Sequence, residues 1–417
     1  MLWFFPTARN PVLSLFQSAA AAVARSGSPP GDDPAKHPLT AAAAHLVSVQ
    51  HDPTRAYAPP ANIAVPTMTC ASLGLDLLKA MVSGDVERQR ALRNRLSFSQ
   101  CDPLWASTLV DYAGSLRPNG GVRPLPYIRY RQINDFILPA PGGTARVALF
   151  SDWGTGTDEA CRVAAMMAQQ RPDVAIHLGD IYYAGTREEC DAHFLAPLRA
   201  ALPGVRLFTL CGNHDVYSGG EGYYGLLGKI GQPASYFCLR SSDRSWQILA
   251  GDTGLHDRDP FGAAASLTQL DPAEELWHAD KLRGFPGRTI FLTHHQPFSA
   301  FAQVGLLERH DPVNANLMAS AGRLAAAGRI DAWFWGHEHR LRLYAPYRGI
   351  SAGRNIGYGA IPVQAAVGPE TPLPGLIDPP PRAVQRCRLA VTESALQHLM
   401  VEVRWLIARG IPEPAIV

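Results

Sequence analysis

The stretch VRLFTLCGNHDVY, residues 205–217, changes character halfway. Val205 to Leu210 is a short, mostly apolar run with the length of a buried strand. Directly behind it stand Asn213, His214 and Asp215, an amide, an imidazole and a carboxylate in a row. Asparagine is a poor nucleophile and a poor base. Its place beside a histidine and an aspartate points to metal chemistry, provided that other parts of the chain supply partners.

Four further apolar runs end in the same way. RVALF (146–150) leads into SDWG with Asp152, and VAIHL (174–178) leads into GDIYY with Asp180 and Tyr183. TIFLT (289–293) leads into HHQPF with His294 and His295, and DAWFW (331–335) leads into GHEH with His337 and His339. Helical stretches lie between the runs: DEACRVAAMMAQQ (158–170), TREECDAHFLAPLRAAL (186–202) and DPAEELWHADKL (271–282). In the first of these, Asp158 and Glu159 occupy the first turn and Pro172 follows the end. SYFCLRSSDRSWQILAGD (235–252) reads as a hairpin around a polar turn. Strands alternating with helices imply an α/β domain. In open α/β sheets ligands bind beyond the carboxyl ends of the strands, so five strand ends would converge on one rim.

The chain has 417 residues, enough for two or three domains. With 38 Lys plus Arg against 36 Asp plus Glu, there is no basic excess to suggest a nucleic-acid partner. No uninterrupted apolar run reaches the roughly 18 residues of a membrane span. The 7 cysteines form no CxxC pair, which argues against a disulfide framework or a thiolate zinc site and favours a reducing, cytoplasmic location. Near the start, Arg9 follows LWFF and polar residues dilute the apolar stretch, a poor match to a secretory leader. Residues 25–39 are rich in Pro, Gly and Ser and read as a linker. Leu75, Leu78 and Val82 fall on one helical face, and DVERQRALRNRL (85–96) reads as an exposed helix. Residues 1–140 are therefore expected to be a mainly helical extension with a flexible start, and 141–417 the main domain.

The side chains at the strand ends are carboxylate, phenol, amide and imidazole, with no thiolate. That set suits iron, manganese or zinc. One carboxylate can bridge two ions about 3.5–4 Å apart. A neutral Asn213 oxygen would ligate without adding negative charge. Taken together, SDWG, GDIYY, GNHD, THH and GHEH resemble the five-block signature of the calcineurin-like metallophosphoesterases. Within them the chain resembles the purple acid phosphatase branch, since Trp153 and Gly154 replace the usual Asp-x-His and Tyr183 stands three residues after Asp180. The resemblance covers about residues 145–365.

This resemblance implies a double β-sheet sandwich flanked by helices and a pair of metal ions. Asp152, Tyr183 and His339 would hold the first ion, Asp180 would bridge, and Asn213, His294 and His337 would hold the second. A tyrosine ligand implies iron(III) at the first position, with divalent iron, zinc or manganese at the other. His294 is preferred to His295 because it directly follows the strand, although Phe291 stands where the family has valine. His295 would then touch the phosphate. A hydroxide on the metals would attack phosphorus, and His214 would stabilise or protonate the leaving oxygen. Asp215 would orient His214 and favour its protonated form. The expected activity is phosphomonoester hydrolysis, with a phosphodiesterase on nucleotides or lipid head groups and a non-catalytic scaffold as alternatives. The substrate would be a small-molecule phosphoester, while oligomeric state has no signature. The helical texture of the first 140 residues differs from the β-sandwich that precedes the catalytic domain in plant-type members.

Each residue alone has an ordinary explanation. Asp152 could be a turn or cap residue, Tyr183 a packed aromatic, and the histidines satisfied loop residues. Only their joint order at strand ends sets them apart. His177 lies within a strand pattern and His193 and His278 within helical ones, so these three read as structural. His256 and His310 are loop residues that would at most reach the rim. YSGGEGYYG (217–225) reads as a glycine-rich loop, either an ordinary surface loop or a mobile one that closes Tyr223 and Tyr224 over substrate.

Overall fold

The computed structural model describes residues 123–361 apart from 143–144, 259–266, 300–303, 305–312 and 340, with isolated positions from 83 to 116. The first residues, the linker, nearly all of the expected N-terminal helices and His310 lie outside the described residues.

All five apolar runs are strands: β2 (Val147–Phe150), β3 (Val174–His177), β4 (Arg206–Thr209), β7 (Arg288–Thr293) and β8 (Ala332–Trp335). They are joined by β1 (Ile137–Ala140), the hairpin β5 (Phe237–Ser241) and β6 (Trp246–Ala250), β9 (Leu341–Tyr344) and β10 (Gly353–Ile356). One sheet has the order β1-β5-β6-β7-β8-β10-β9 and the other β2-β3-β4. β2, β3 and β4 run parallel, as do β6, β7, β8 and β10.

Alternation of side chains explains why the sheets stack. Leu149, Ile176 and Phe208 face one way and meet Leu239, Ile248, Leu292 and Phe334 of the larger sheet in a shared core. The opposite faces are equally apolar and need their own cover. Phe150 and Ala175 pack under helix α1 (Asp158–Gln169) and the segment containing Phe194 and Leu198. That segment comprises α2 (Arg187–Glu189), a π-helical stretch Cys190–Leu195 and α3 (Ala196–Ala201). Next in the chain is α4 (Glu221–Ile230). On the other side Phe291, Trp333 and Trp335 pack against Trp277 of α5 (Pro272–Leu282) and Leu317 and Leu324 of α6 (Ala315–Ala327). The result is a four-layer α/β sandwich, helices outside two sheets. Each fully buried Leu, Ile or Phe contributes about 1.5–3 kcal/mol of transfer free energy.

Two expectations change. The boundary at 140–141 cuts through the sheet, because β1 pairs in parallel with β5 and its Leu138 packs on the shared core. The compact unit that holds the sandwich begins at Arg123. The glycine-rich 217–225 stretch does not form a lid. It enters α4, with Tyr223 fully buried and its hydroxyl donating to the Thr209 carbonyl at 3.1 Å. Gly220 and Gly231, both left-handed, cap that helix, so the glycines serve its ends. No helix among the described residues is long and apolar enough to cross a membrane.

Candidate metal centre

Three residues of the expected ligand set depart from ordinary backbone geometry. Asp152, Asp180 and His337 have φ of 53°, 75° and 64°, the left-handed region that costs a side-chain-bearing residue energy. Such strain persists where surrounding contacts enforce it, and it clusters at functional sites. Neighbouring glycines make the crowding possible. A Cβ on Gly212 would lie 2.2 Å from Asp180 Oδ1, and one on Gly336 would lie 1.8 Å from Ser151 Oγ and 2.7 Å from Asp152 Oδ2. The glycine in each of the GNHD and GHEH blocks therefore leaves room for a carboxylate from another strand end.

The side chains converge from both sheets. Asp180 faces two groups at once: Oδ1 lies 3.3 Å from His294 Nε2 and accepts the His214 N–H at 3.0 Å, while Oδ2 accepts the Tyr182 hydroxyl at 3.1 Å. Asp152 Oδ1 lies 3.3 Å from His339 Nε2, and its Oδ2 accepts from Ser151 Oγ at 2.6 Å and from the His337 N–H at 2.9 Å. His294 Nδ1 is held by the Leu178 carbonyl at 2.9 Å, which directs Nε2 toward Asn213 Oδ1 at 3.2 Å. The His337 ring centroid is 5.1 Å from that of His294 and 4.4 Å from that of His295.

Tyr182, Tyr183, Asp215 and His295 take the following positions. The hydroxyl of Tyr182 lies between the two carboxylates. It stands 3.1 Å from Asp152 Oδ1, from Asp180 Oδ2 and from His339 Nε2. The N–H of Tyr183 donates to Glu189 and its carbonyl meets His214 Nδ1 at 2.7 Å. Asp215 faces main-chain donors. Its carboxylate accepts the N–H groups of Gly212 at 2.7 Å, Asp180 at 2.9 Å and Ile181 at 3.0 Å, tying the loops after β3 and β4 together. His295 is buried, with Nδ1 2.9 Å from Thr253 Oγ1 and Nε2 3.1 Å from Asp257 Oδ2.

Several supporting groups went unnoticed in the sequence because they sit outside the five blocks or between their marked residues. Glu189 accepts N–H groups of Tyr183, Ala184 and Thr186, and its own N–H closes a capping box with Thr186. Glu338, between the two histidines of GHEH, accepts from Ser299 Oγ and from Asn355 Nδ2. His193, read from sequence as structural, is carried by the π-helical stretch and meets the Tyr182 carbonyl at 2.9 Å. His177 and His278 are buried, and burial lowers the pKa of each to about 3.

The electrostatics are those of two buried acids amid imidazoles. Burial opposes charge on Asp180, yet His294 and His214 pull its pKa down. Burial likewise opposes charge on Asp152, and His339 and His294 lower its pKa. Burial opposes charge on His294, but the Asp180 and Asp152 carboxylates outweigh it and raise the pKa to about 9. Burial lowers the His214 pKa, against the pull of the Asp180 charge and the hydrogen bond to the Tyr183 carbonyl. Burial and the Asp180 charge push Asp215 up to about 7 against the pull of its N–H donors.

These donors fit metal ions. Single ligand atoms of Asp152, Asp180 and His294 lie within 4.8 Å of one another, and so do those of His294, His295 and His337. His294 belongs to both groups. Two almost fully buried carboxylates need compensating charge, and the ion pairs the structure gives them are with histidines. Cations would meet that need with the oxygen and nitrogen donors such ions take.

Residues 145–341 match the family model of the calcineurin-like phosphoesterases. The chain is similar to purple acid phosphatase PPD1 from yellow lupin (Lupinus luteus) seeds, at 15% identity and a TM-score of 0.39, over 53% of this chain and 46% of that one. It is also similar to GAP50, the anchor in the inner membrane complex of Plasmodium, at 13% identity and a TM-score of 0.39, over 55% of this chain and 76% of that one. The match thus spans a little under half the length of the lupin protein. No curated protein sequence matches the chain.

Proposed function

We propose that this chain, whose residues 145–341 form a calcineurin-like phosphoesterase domain, is a dinuclear metal-dependent phosphomonoesterase of the purple acid phosphatase type. One observation carries the reading: the two oxygens of Asp180 face separate donor groups, Tyr182 on one side and His294 on the other. A shared carboxylate in that position suits a pair of ions.

Asp152, Tyr182 and His339 would hold one ion and Asn213, His294 and His337 the other, with Asp180 common to both. A phenol in the first set favours iron(III) there, with divalent iron, zinc or manganese in the second. Bound ions supply Lewis acidity, which neutralises phosphoryl oxygens and acidifies water. The chain's own groups do the rest. Asp215 fixes the spacing of the loops that present Asp180 and Asn213. His214 is only partly buried, and its Nδ1 is committed to the Tyr183 carbonyl, so proton exchange with a leaving oxygen goes through Nε2. His295, oriented by Thr253 and Asp257, backs the His337 ring.

The test is turnover of the metal-loaded chain on a phosphomonoester beside a phosphodiester. Preference for the monoester supports the proposal, and preference for the diester replaces it with a phosphodiesterase. Full metal binding with no turnover of either favours a scaffold. For His214→Ala the expected loss in kcat is about 10²–10⁴-fold, the usual contribution of a general acid. Unchanged kcat would remove His214 from the mechanism.

A further inference from the structure

The smaller sheet ends at β4, so one edge of that strand has no neighbouring strand among the described residues. The Leu210 N–H donates to the His177 carbonyl at the end of β3. Main-chain groups alternate along a strand, which turns those of Thr209 and, two residues earlier, of Leu207 toward the open side. At Thr209 a side chain takes the place of a strand. Gln232 Oε1 accepts the Thr209 N–H at 2.9 Å, and Gln232 Nε2 donates to the Thr209 carbonyl at 2.8 Å. Among the described residues no amide does the same for Leu207, which instead lines a cavity of about 330 Å³. The cavity lies at the start of β4, whereas Asn213 follows the other end, so it stands apart from the metal centre.

Arg199 of α3, Arg206 of β4 and Lys229 of α4 line this cavity beside Leu202, Leu207 and Ile230, and none of its described lining residues is acidic. Both guanidinium groups are held by neutral acceptors. Arg199 Nη2 donates to the Lys229 carbonyl at 3.1 Å. Arg206 Nη1 donates to the Pro139 carbonyl, and its Cζ lies 5.2 Å from the Phe208 ring centroid. A carbonyl takes one of the five N–H groups of a guanidinium and leaves the charge in place. Lys229 Nζ pairs with Asp191 at 2.6 Å, but these side chains are 47% and 50% exposed, where an ion pair contributes little. The site thus offers fixed positive charge, an apolar wall and one main-chain donor and acceptor. A simple anion would accept from the Leu207 N–H and leave its carbonyl without a donor. An extended peptide answers both groups, and its alternate side chains can be acidic on one face and apolar on the other.

We propose that the open edge of β4 is a docking site for an extended acidic peptide of a partner protein, which pairs its main chain with Leu207 and sets carboxylates against Arg199 and Arg206. The experiment titrates the full chain into fluorescein-labelled hexapeptide pools and reads anisotropy. One pool alternates glutamate with random apolar residues. A second has lysine in place of glutamate, and a third is the acidic pool N-methylated along its backbone. The acidic pool should bind saturably, and more weakly as salt rises. The lysine and N-methylated pools should bind at least about fivefold less well, the scale of one hydrogen bond or exposed ion pair. Arg199→Gln and Arg206→Gln, which keep a donor for the Lys229 and Pro139 carbonyls, should each weaken the acidic pool by about the same factor. Circular dichroism checks that both variants fold, and if either does not, the three pools on the wild-type chain decide. Absence of saturable binding by the acidic pool, or equal binding of the lysine pool, overturns the proposal. Binding that N-methylation leaves intact marks a site for anions alone and overturns the peptide. Binding unchanged in folded Arg199→Gln and Arg206→Gln places the peptide elsewhere on the chain and overturns it as well.

Discussion

Asp180 and Asp152 share one phenol, and which tyrosine provides it is the sharpest question at the scale of single residues. If Tyr182 is the metal-facing phenol, Tyr182→Phe should abolish the visible phenolate band of the iron-loaded protein while Tyr183→Phe keeps it. The reverse pattern in the absorption spectra would restore Tyr183. Sequence could not decide between them for a physical reason. Gly179 and Asp180 both have positive φ, 109° and 75°, so the in-out alternation of β3 is lost before the tyrosines are reached. Asp215 was legible as part of the site but not in its task, since three main-chain donors from two loops leave no trace in a tripeptide. Asp215→Asn would set an amide N–H against one of them. Its expected cost is a 10–100-fold loss of metal affinity, measured by titration calorimetry, as for other groups that support ligands. Unaltered affinity would show that the loops hold their spacing without it.

At the scale of elements, the strands were the most readable part of the fold, because β2, β3, β4, β7 and β8 are buried along nearly their whole length and so appear as mostly apolar runs. Helix α4 was not readable, since its glycines suggested a loop. Helix α5 hid another feature, a buried acid that faces the chain just after β6. Glu274 has no exposed surface, and it accepts from the Tyr127 hydroxyl at 2.8 Å and from the Asp252 N–H at 2.8 Å, with His278 Nε2 at 3.1 Å. Burial raises its pKa from 4.5 to about 8. The folded chain then keeps this proton where the unfolded chain has lost it. Stability from this group is full below about pH 4.5 and is lost as pH rises toward 8. Thermal melts between pH 5 and 8 should therefore show a falling Tm that is flatter in Glu274→Gln. Equal slopes for the two proteins would reject the assignment.

Across the whole molecule, the sandwich explains why seven side chains scattered from Asp152 to His339 can meet. Parallel strands send their loops to one edge, and two stacked sheets bring two such edges together. The order of the blocks in sequence therefore carried most of the site, whereas the supporting carboxylates Glu189, Asp257 and Glu338 depended on tertiary contacts. The central claim is that this edge holds two cations around Asp180, and elemental analysis of the purified chain tests it most directly. The account predicts two metal ions per chain after dialysis, lost from Asp180→Ala. A folded wild-type protein that retains no metal, and takes up none when iron, zinc and manganese are supplied, would contradict it.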